Sequence, residues 1–293
     1  MRNSLSADMA FRSDAQQLAV VTPNRMMTLW NTADPAEPRR LGRFRYGRGI
    51  YAAAWNPVAV SLLATASVDG MTTVWRFLDD RQPEQLAAWQ SPVTAQHIGW
   101  SPAGQWVFSV APSGVASVWD MRSSYNVGQA DLTGGRQVVA VYGVDDTIVV
   151  IAEDGWARWW SPRTRTGEWV RLTGAPVRAC AHAGGLLVVT GVDGTLACFD
   201  ARLDPAGELR VDHTQTYAVA CTGDGRLVIA FGSGNVVAIG SDGDILWQLD
   251  AGPLTMVGVA IAGDLVAIGS GTARPYLVSL ATGAALGGTG SGL

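Results

Sequence analysis

A repeat of about 40 residues runs through almost all of this 293-residue sequence. Each unit opens with an apolar run that ends in a marker residue, and a polar turn and a second apolar run follow it. A period of this size is typical of architectures that repeat one supersecondary unit. The sequence therefore predicts seven units. Their markers, 38 to 45 residues apart, are Phe11, Trp55, Trp100, Tyr142, Cys180, Cys221 and Val259.

Each unit is predicted to consist of short β-strands. A second marker follows the first by 18 to 20 residues and ends a segment of alternating polar and apolar residues, such as 72–75. Alternation with a period of two, with turn dipeptides about every ten residues, predicts four strands per unit and almost no helix. The second markers are Trp30, Trp75, Trp119, Trp160, Phe199 and Ile239, and the seventh falls within 278–280.

These units resemble the repeats of WD-repeat β-propellers, in a degenerate, bacterial-type form. Trp119–Asp120 keeps the dipeptide that ends the family's repeat, and Phe199–Asp200 keeps it with an aromatic exchange. The Gly-His pair that opens the family's repeat is missing, so the family's buried His-Asp-Ser-Trp network is not carried over, and packing must hold the blades. Segment 241–247 resembles the repeat of quinoprotein-type propellers instead.

The resemblance implies an all-β fold, a seven-bladed β-propeller of four-stranded antiparallel blades over 8–286. A four-stranded unit has two apolar faces, so neighbouring units stack around a channel, with the marker tryptophans between them. Either segment 1–7 or segment 284–286 supplies the outer strand of blade seven, and 287–293 is a flexible glycine-rich tail. The predicted blades, numbered one to seven, are 8–46, 47–90, 91–133, 134–173, 174–213, 214–251 and 252–286.

The charged residues exclude several kinds of chemistry. All 21 basic residues are arginine, so Schiff-base amines, P-loop lysines and kinase-type lysines are excluded. The net charge of −4 combines 17 arginines and 15 acidic residues in 1–178 with 4 arginines and 10 acidic residues in 179–293. A dedicated nucleic-acid binder would be basic throughout, and this balance argues against one.

The cysteines and the hydropathy pattern predict a cytoplasmic protein without a membrane span. Cys180, Cys198 and Cys221 lie in small apolar runs, are odd in number and lack zinc-ligand spacing, so we expect reduced core thiols and no metal or other cofactor. The first ten residues lack a signal-peptide core, and no window approaches the roughly 18 apolar residues that a span needs.

The predicted binding site is one face of the propeller, formed by the turns between second and third strands and the connections between blades. Arginine, tyrosine and tryptophan anchor protein interfaces, and the resemblance implies a non-enzymatic platform for protein partners within a larger complex. Trp156 follows an Asp-Gly turn and is either exposed or packed against Trp159 or a neighbouring loop. The predicted partner-binding residues are Arg25, Tyr46, Arg48, Asp69, Arg136, Trp156, Asp193, Tyr217 and Arg274.

Two alternatives rest on charge and on the channel. Segment 39–48 has five arginines interleaved with aromatic residues, which suits phosphates or an acidic partner, or else protects a solvated edge strand. A channel-centred enzyme or ligand site would use aspartates of the Asp-Gly turns around a cation, although Asp-Gly is primarily turn chemistry. Catalytic residues are otherwise not indicated, and His182 with Cys180 makes a weak candidate dyad. A second arginine cluster comprises Arg158, Arg163, Arg165, Arg171 and Arg178.

Overall fold

Every regular element of the structure is a β-strand. The computed structural model describes residues 8–22, 24–78, 82–123, 125–164, 167–210, 216–250, 256–270 and 275–286. Within these ranges the strands form seven antiparallel sheets, and the strands of each sheet are paired in chain order. Within the same ranges no helix is long and apolar enough to cross a membrane.

The strands of the first four blades are as follows. Blade one contains β1 (Asp8–Phe11), β2 (Gln17–Thr22), β3 (Met26–Asn31) and β4 (Arg39–Arg45). Blade two contains β5 (Ile50–Trp55), β6 (Leu62–Ser67), β7 (Met71–Arg76) and β8 (Glu84–Gln90). Blade three contains β9 (His97–Trp100), β10 (Trp106–Val110), β11 (Val115–Asp120) and β12 (Tyr125–Asp131). Blade four contains β13 (Val138–Val144), β14 (Thr147–Ala152), β15 (Trp156–Trp160) and β16 (Trp169–Arg171).

The remaining three blades repeat the same order. Blade five contains β17 (Val177–Ala183), β18 (Leu186–Gly191), β19 (Thr195–Phe199) and β20 (Pro205–Arg210). Blade six contains β21 (Thr216–Cys221), β22 (Leu227–Phe231), β23 (Asn235–Ile239) and β24 (Ile245–Asp250). Blade seven contains β25 (Met256–Ala262), β26 (Leu265–Ser270) and β27 (Tyr276–Ser279).

The first strands of the seven sheets form a closed inner ring. β1 contacts β5, and the contacts continue through β9, β13, β17, β21 and β25 back to β1. In blade seven, Ala285 forms an antiparallel bridge with Val278, and the Leu286 N–H donates to the Leu277 carbonyl at 2.8 Å. Segment 284–286 therefore lies at the outer position, whereas 1–7 falls outside the described residues. The predicted seven-bladed β-propeller is confirmed.

The apolar cores lie between the blades, because each central strand divides its side chains between two neighbours. On β2, Leu18 and Val20 pack with blade seven, whereas Ala19 and Val21 pack with blade two. β14 does the same: 148 and 150 face blade three, and 149 and 151 face blade five. This follows from the alternation of side chains along a strand. The described residues provide one such cluster for each of the seven junctions.

The second markers occupy these junctions, as predicted. Trp119 is 1% exposed and packs between blades two and three, and Trp160 packs between blades three and four. In most blades the outer strand shifts register beside the marker, as between Leu29 and Trp30. Such a bulge increases local twist. Trp75 also donates its indole N–H to Thr65 Oγ1 at 2.9 Å.

The first markers were misplaced in two of the central blades. In blades two and three, the second marker, its partner on the second strand and the first marker form one row of directly paired residues across the sheet. The first markers in these rows are Trp55 and Trp100. In blades four and five the same row contains Gly143 and His182, and not Tyr142 and Cys180. A Cβ at Gly143 would lie 2.5 Å from the Trp100 carbonyl oxygen, so this position excludes the aromatic side chain that the repeat pattern led us to expect.

Indole hydrogen bonds join the inner strands of successive blades. Trp55 Nε1 donates to the Ala10 carbonyl at 3.0 Å, and Trp100 Nε1 donates to the Ala54 carbonyl at 2.9 Å. In both cases the acceptor belongs to the preceding blade. A buried tryptophan normally satisfies its N–H in this way, so these two side chains fix the spacing of blades one to three as well as filling the space between them.

The Trp75–Thr65 hydrogen bond is expected to contribute measurably to stability. Thr65→Val keeps the side-chain shape but leaves the indole N–H without this acceptor, and we expect the free energy of unfolding in urea to fall by about 1–2 kcal/mol. Thr72→Val is the matched control, because the buried Thr72 hydroxyl has no hydrogen-bond partner among the described residues. The control should be neutral or stabilising. Equal losses in both variants would contradict the assignment.

Candidate functional site

The predicted site residues that the structure describes lie at turns and connections on one side of the propeller, which we call the connection face, and are distributed over several blades. The connection face consists of the turns between second and third strands and the connections between blades. Two ion pairs join a connection to a turn: Arg48 Nε lies 3.5 Å from Asp69 Oδ2, and Arg136 Nε lies 2.9 Å from Asp154 Oδ2. Surface ion pairs contribute only about 0–1 kcal/mol, so these two position side chains rather than hold the fold.

Around blades one and two, the predicted arginines are exposed, whereas the predicted tyrosine packs inward. Arg25 is exposed and has φ 67°, and its carbonyl accepts the Tyr46 N–H at 2.9 Å. The Tyr46 ring lies 4.7 Å from the Trp75 ring and packs with the core between blades one and two. Burial raises the pKa of Tyr46 well above its usual value. Tyr46 is therefore a packing residue, and Arg25 and Arg48 are the exposed groups here.

The aspartates of the Asp-Gly turns are engaged by their own turns. The Asp69 carboxylate accepts the Ser67 hydroxyl and, at 3.3 Å, the Met71 N–H. The Asp193 carboxylate accepts the Thr195 N–H at 3.2 Å, and this backbone hydrogen bond holds the pKa of Asp193 below its usual value. Asx turns of this kind are ordinary turn chemistry. Within the described ranges, no group of three or more His, Cys, Asp or Glu side chains could hold a metal ion.

The outer half of blade four contains the densest part of the site. Trp156 lies directly opposite Arg171, and Arg158 lies directly opposite Trp169. Residues paired in this way, and those two apart on one strand, project from the same side of a sheet. Arg158 Nη1 donates to the Leu132 carbonyl of blade three at 3.2 Å, so this side faces blade three. We call these four residues the tryptophan–arginine quartet.

The quartet is held together by contacts between guanidinium groups and indole rings. The Arg158 guanidinium lies 5.5 Å from the centre of the Trp169 ring, and that of Arg171 lies 5.6 Å from the Trp156 ring. Arg136 approaches both indoles, at 4.8 Å from Trp169 and 5.8 Å from Trp156. Each such contact is worth about 0.5–1 kcal/mol at exposed sites. Arg136 therefore covers the quartet from the connection between blades three and four.

Trp156 fits neither of the two expectations fully. It is half-buried, and its ring meets Trp169 edge-on, with the ring centres 6.5 Å apart. Trp169 was missed as a site residue. Trp169 can be identified only from the cross-strand register between β15 and β16. That register depends on the length of the connection between the two strands and not on the repeat period.

The remaining predicted residues are spread around the ring. Tyr217 is 43% exposed at the start of β21, and Arg274 lies outside the described residues. The second arginine cluster divides: Arg163 pairs with Asp146 at 3.3 Å on the opposite side of the propeller, Arg178 is exposed on β17, and Arg165 is not among the described residues.

The arginine-rich strand β4 has two different sides. Phe44 is buried against blade two, whereas Arg40, Arg43 and Arg45 are exposed. These three pair across the sheet with residues 30, 28 and 26 of β3, so they project from one side of the edge strand. Arg39, on the other side, pairs with Glu37 at 3.0 Å. The strand thus presents a row of three arginines with no ion-paired carboxylate among the described residues.

The thiols and the candidate dyad lie in packed surroundings. Burial raises the pKa of Cys221 to about 12 and raises that of Cys198 as well, so neither thiol is activated. His182 stacks on Tyr142, with ring centres 4.2 Å apart and ring planes 11° apart. Buried His182 Nε2 and the buried Tyr142 hydroxyl have no hydrogen-bond partner within the described ranges. The pair is therefore a packing contact between the inner strands of blades four and five.

His182 is expected to make stability depend on pH. Burial lowers the pKa of His182 below its usual value of about 6.5 in the folded chain. The unfolded chain therefore takes up the proton first, and the free energy of unfolding falls as the pH drops below about 6.5. Urea titrations between pH 7.5 and pH 5 should show this decline, and His182→Phe should reduce its slope. Parallel pH profiles for the two proteins would refute the assignment.

Known proteins share this architecture. The crystal structure of Raptor from Chaetomium thermophilum matches 94% of this chain with a TM-score of 0.77 and 17% sequence identity. The protein transport protein SEC31 of Chaetomium globosum is 25% identical over 224 residues, which cover 71% of this chain. No protein-family model matches the sequence. The seven blades and these two matches agree with the resemblance to WD-repeat propellers.

The chain corresponds to only a small part of both proteins. The matched region covers 28% of the Raptor chain and 18% of SEC31. At this level of identity the Raptor match shows the fold, and the functions of the two larger proteins are not thereby those of this chain.

Proposed function

We propose that this chain is a non-enzymatic, cytoplasmic scaffold of the WD-repeat type that binds protein partners through its connection face. The observation that carries the proposal is the concentration of arginine and aromatic side chains there, positioned by the Arg48–Asp69 and Arg136–Asp154 ion pairs. Trp156, Arg48 and exposed Tyr217 are residues of the types that dominate binding energy at protein interfaces. The similarity to a protein transport protein agrees with a role within a larger assembly.

The rigidity of the fold supports this role. Seven inter-blade cores and a closed ring of inner strands hold the connections in place. Binding to a preorganised surface loses less conformational entropy than binding to mobile loops. Partners that contact different blades of the connection face would therefore be kept at fixed distances from one another, which is what a scaffold requires.

The proposal is tested by comparing two double variants. Trp156→Ala with Arg48→Ala removes an aromatic and a cationic group from the connection face. Leu78→Ala with Arg163→Ala is the matched control, because Leu78 is 52% exposed and both residues lie on the opposite face. After chemical cross-linking in native lysate, partners identified by mass spectrometry should be lost from the first variant and kept by the control. Unchanged partner binding by the first variant, or loss of partners from the control alone, would reject the connection face.

A second candidate function is binding of a nucleic acid along β4. The observation that favours it is the exposed row Arg40, Arg43 and Arg45 on one side of this edge strand. Arginine guanidiniums bind phosphates with bidentate geometry. Against it, charged residues on an edge strand also prevent unwanted strand pairing, so this function needs its own measurement.

The salt dependence of oligonucleotide binding tests the second candidate. If the arginine row binds phosphates, changing all three residues to glutamine should make the slope of log K against log salt shallower by about 2 to 3. The control changes three ion-paired arginines outside the row to glutamine, which removes the same charge: Arg39 on the other side of β4, Arg163, and Arg226, which pairs with Asp224 at 3.1 Å. Equal slopes for the two triple variants would exclude the row as a phosphate-binding site.

A further inference from the structure

Two of the three arginines at the tryptophan–arginine quartet, Arg158 and Arg171, have no ion-paired carboxylate among the described residues. Together with Arg136, the quartet has three guanidinium groups in contact with two indole rings. The single carboxylate paired with any of them among the described residues is that of Asp154, which binds Arg136. Indole faces attract cations, but they do not remove the repulsion between like charges. The cluster therefore favours an additional anion.

The hydrogen-bond donors of the quartet are also largely unused. A guanidinium has five N–H donors. Arg158 donates to the Leu132 carbonyl, and its buried Nε has no hydrogen-bond partner among the described residues. Arg171 is exposed and reaches only the Gly174 carbonyl, at 3.5 Å. The Arg136–Asp154 contact at 2.9 Å shows that a carboxylate fits the geometry of this cluster.

We propose that the quartet is the docking site for an extended, acidic segment of a protein partner, with carboxylates at alternate residues. This rests on the proposed function and names the partner chemistry for one part of the connection face. Arg158 and Arg171 lie on a diagonal of the cross-strand pairing, where side chains are separated by about 7–8 Å. Alternate residues of an extended peptide are about 6.6–6.8 Å apart on one side. Two such carboxylates match the two guanidiniums, and the exposed parts of the indoles contact the intervening peptide.

The charges around the quartet favour a peptide over a nucleic acid. Glu153 and Asp154 are exposed directly beside Trp156, and Glu168 is exposed beside Trp169. A nucleic acid has a phosphate at every nucleotide and would meet these carboxylates. A peptide can place its carboxylates over the two arginines and neutral residues elsewhere.

Fluorescence anisotropy with a defined peptide tests the proposal. The probe is a fluorescein-labelled octapeptide of alternating glutamate and serine, and its partner probe replaces glutamate with glutamine. We expect the acidic peptide alone to bind, with an affinity that falls as salt is raised. Arg171→Gln should weaken binding about tenfold, the loss expected for a charge-assisted hydrogen bond. Arg171→Lys, which keeps the charge without the planar fork, should give an intermediate loss.

Two controls make the outcome decisive. Arg178→Gln removes the same charge from an exposed position on β17 and should leave the affinity within about twofold of the unchanged protein, and so should Arg43→Gln on β4. Because Arg171 is exposed, its loss does not threaten the fold, and urea unfolding verifies this for each variant.

The outcomes separate this inference from the proposed function. Absence of acidic-peptide binding, equal affinity of the Arg171→Gln and Arg178→Gln variants, or tighter binding of a single-stranded oligonucleotide than of the peptide would overturn the inference. If cross-linked partners still depend on Trp156 and Arg48 in any of these cases, the scaffold proposal stands without an acidic segment at the quartet. If the cross-linked partners also no longer depend on Trp156 and Arg48, both the scaffold proposal and the acidic-segment inference are contradicted.

Discussion

The structure depends on the division of each central strand between two interfaces. Leu18 and Val20 face one neighbouring blade while Ala19 and Val21 face the other, so a single blade leaves both apolar faces uncovered. Burying a leucine or valine side chain is worth about 1.5–3 kcal/mol, and this gain exists only when the next blade is present. The need to cover every face forces the sheets into a ring. It also explains why β1 must pack against β25, since an open arc would leave two faces exposed.

Polar contacts then set the spacing that apolar packing leaves adjustable. The indole N–H groups of Trp55 and Trp100 reach back to carbonyls of the preceding blade, and a hydrogen bond tolerates less variation in distance than an apolar contact does. At the junction of blades four and five, His182 stacks on Tyr142 instead, and neither His182 Nε2 nor the Tyr142 hydroxyl has a hydrogen-bond partner in the described part of the chain. The junctions between blades therefore share one topology but differ in the polar and ring contacts that stabilise them.

The sequence predicted the blades because period-two alternation and regular turns are local signals. It also predicted which aromatic residues lie between blades, since residues as large as Trp119 must be buried. The inner-strand residues paired in line with the second markers, Gly143 in blade four and His182 in blade five, were not identified, because this requires the register across three strands. At Gly143 the close approach to the Trp100 carbonyl also excludes a larger residue. Trp169 was missed for the same reason. Pairing between β15 and β16 depends on a connection whose length differs between blades, so no periodicity reveals it.

The different surroundings of the arginines link the fold to the proposed site. Arg163 is paired with Asp146 and Arg136 with Asp154, so the charge of each is locally balanced. Arg158 and Arg171 face indole rings instead, which hold a cation without neutralising it. Arginines bound in this way stay positioned yet can still accept an anion, whereas mobile surface arginines would lose side-chain entropy on binding. Because a rigid sheet fixes both indoles, the quartet combines preorganisation with two guanidinium groups that have no ion-paired carboxylate among the described residues, which is the combination that a specific docking site needs.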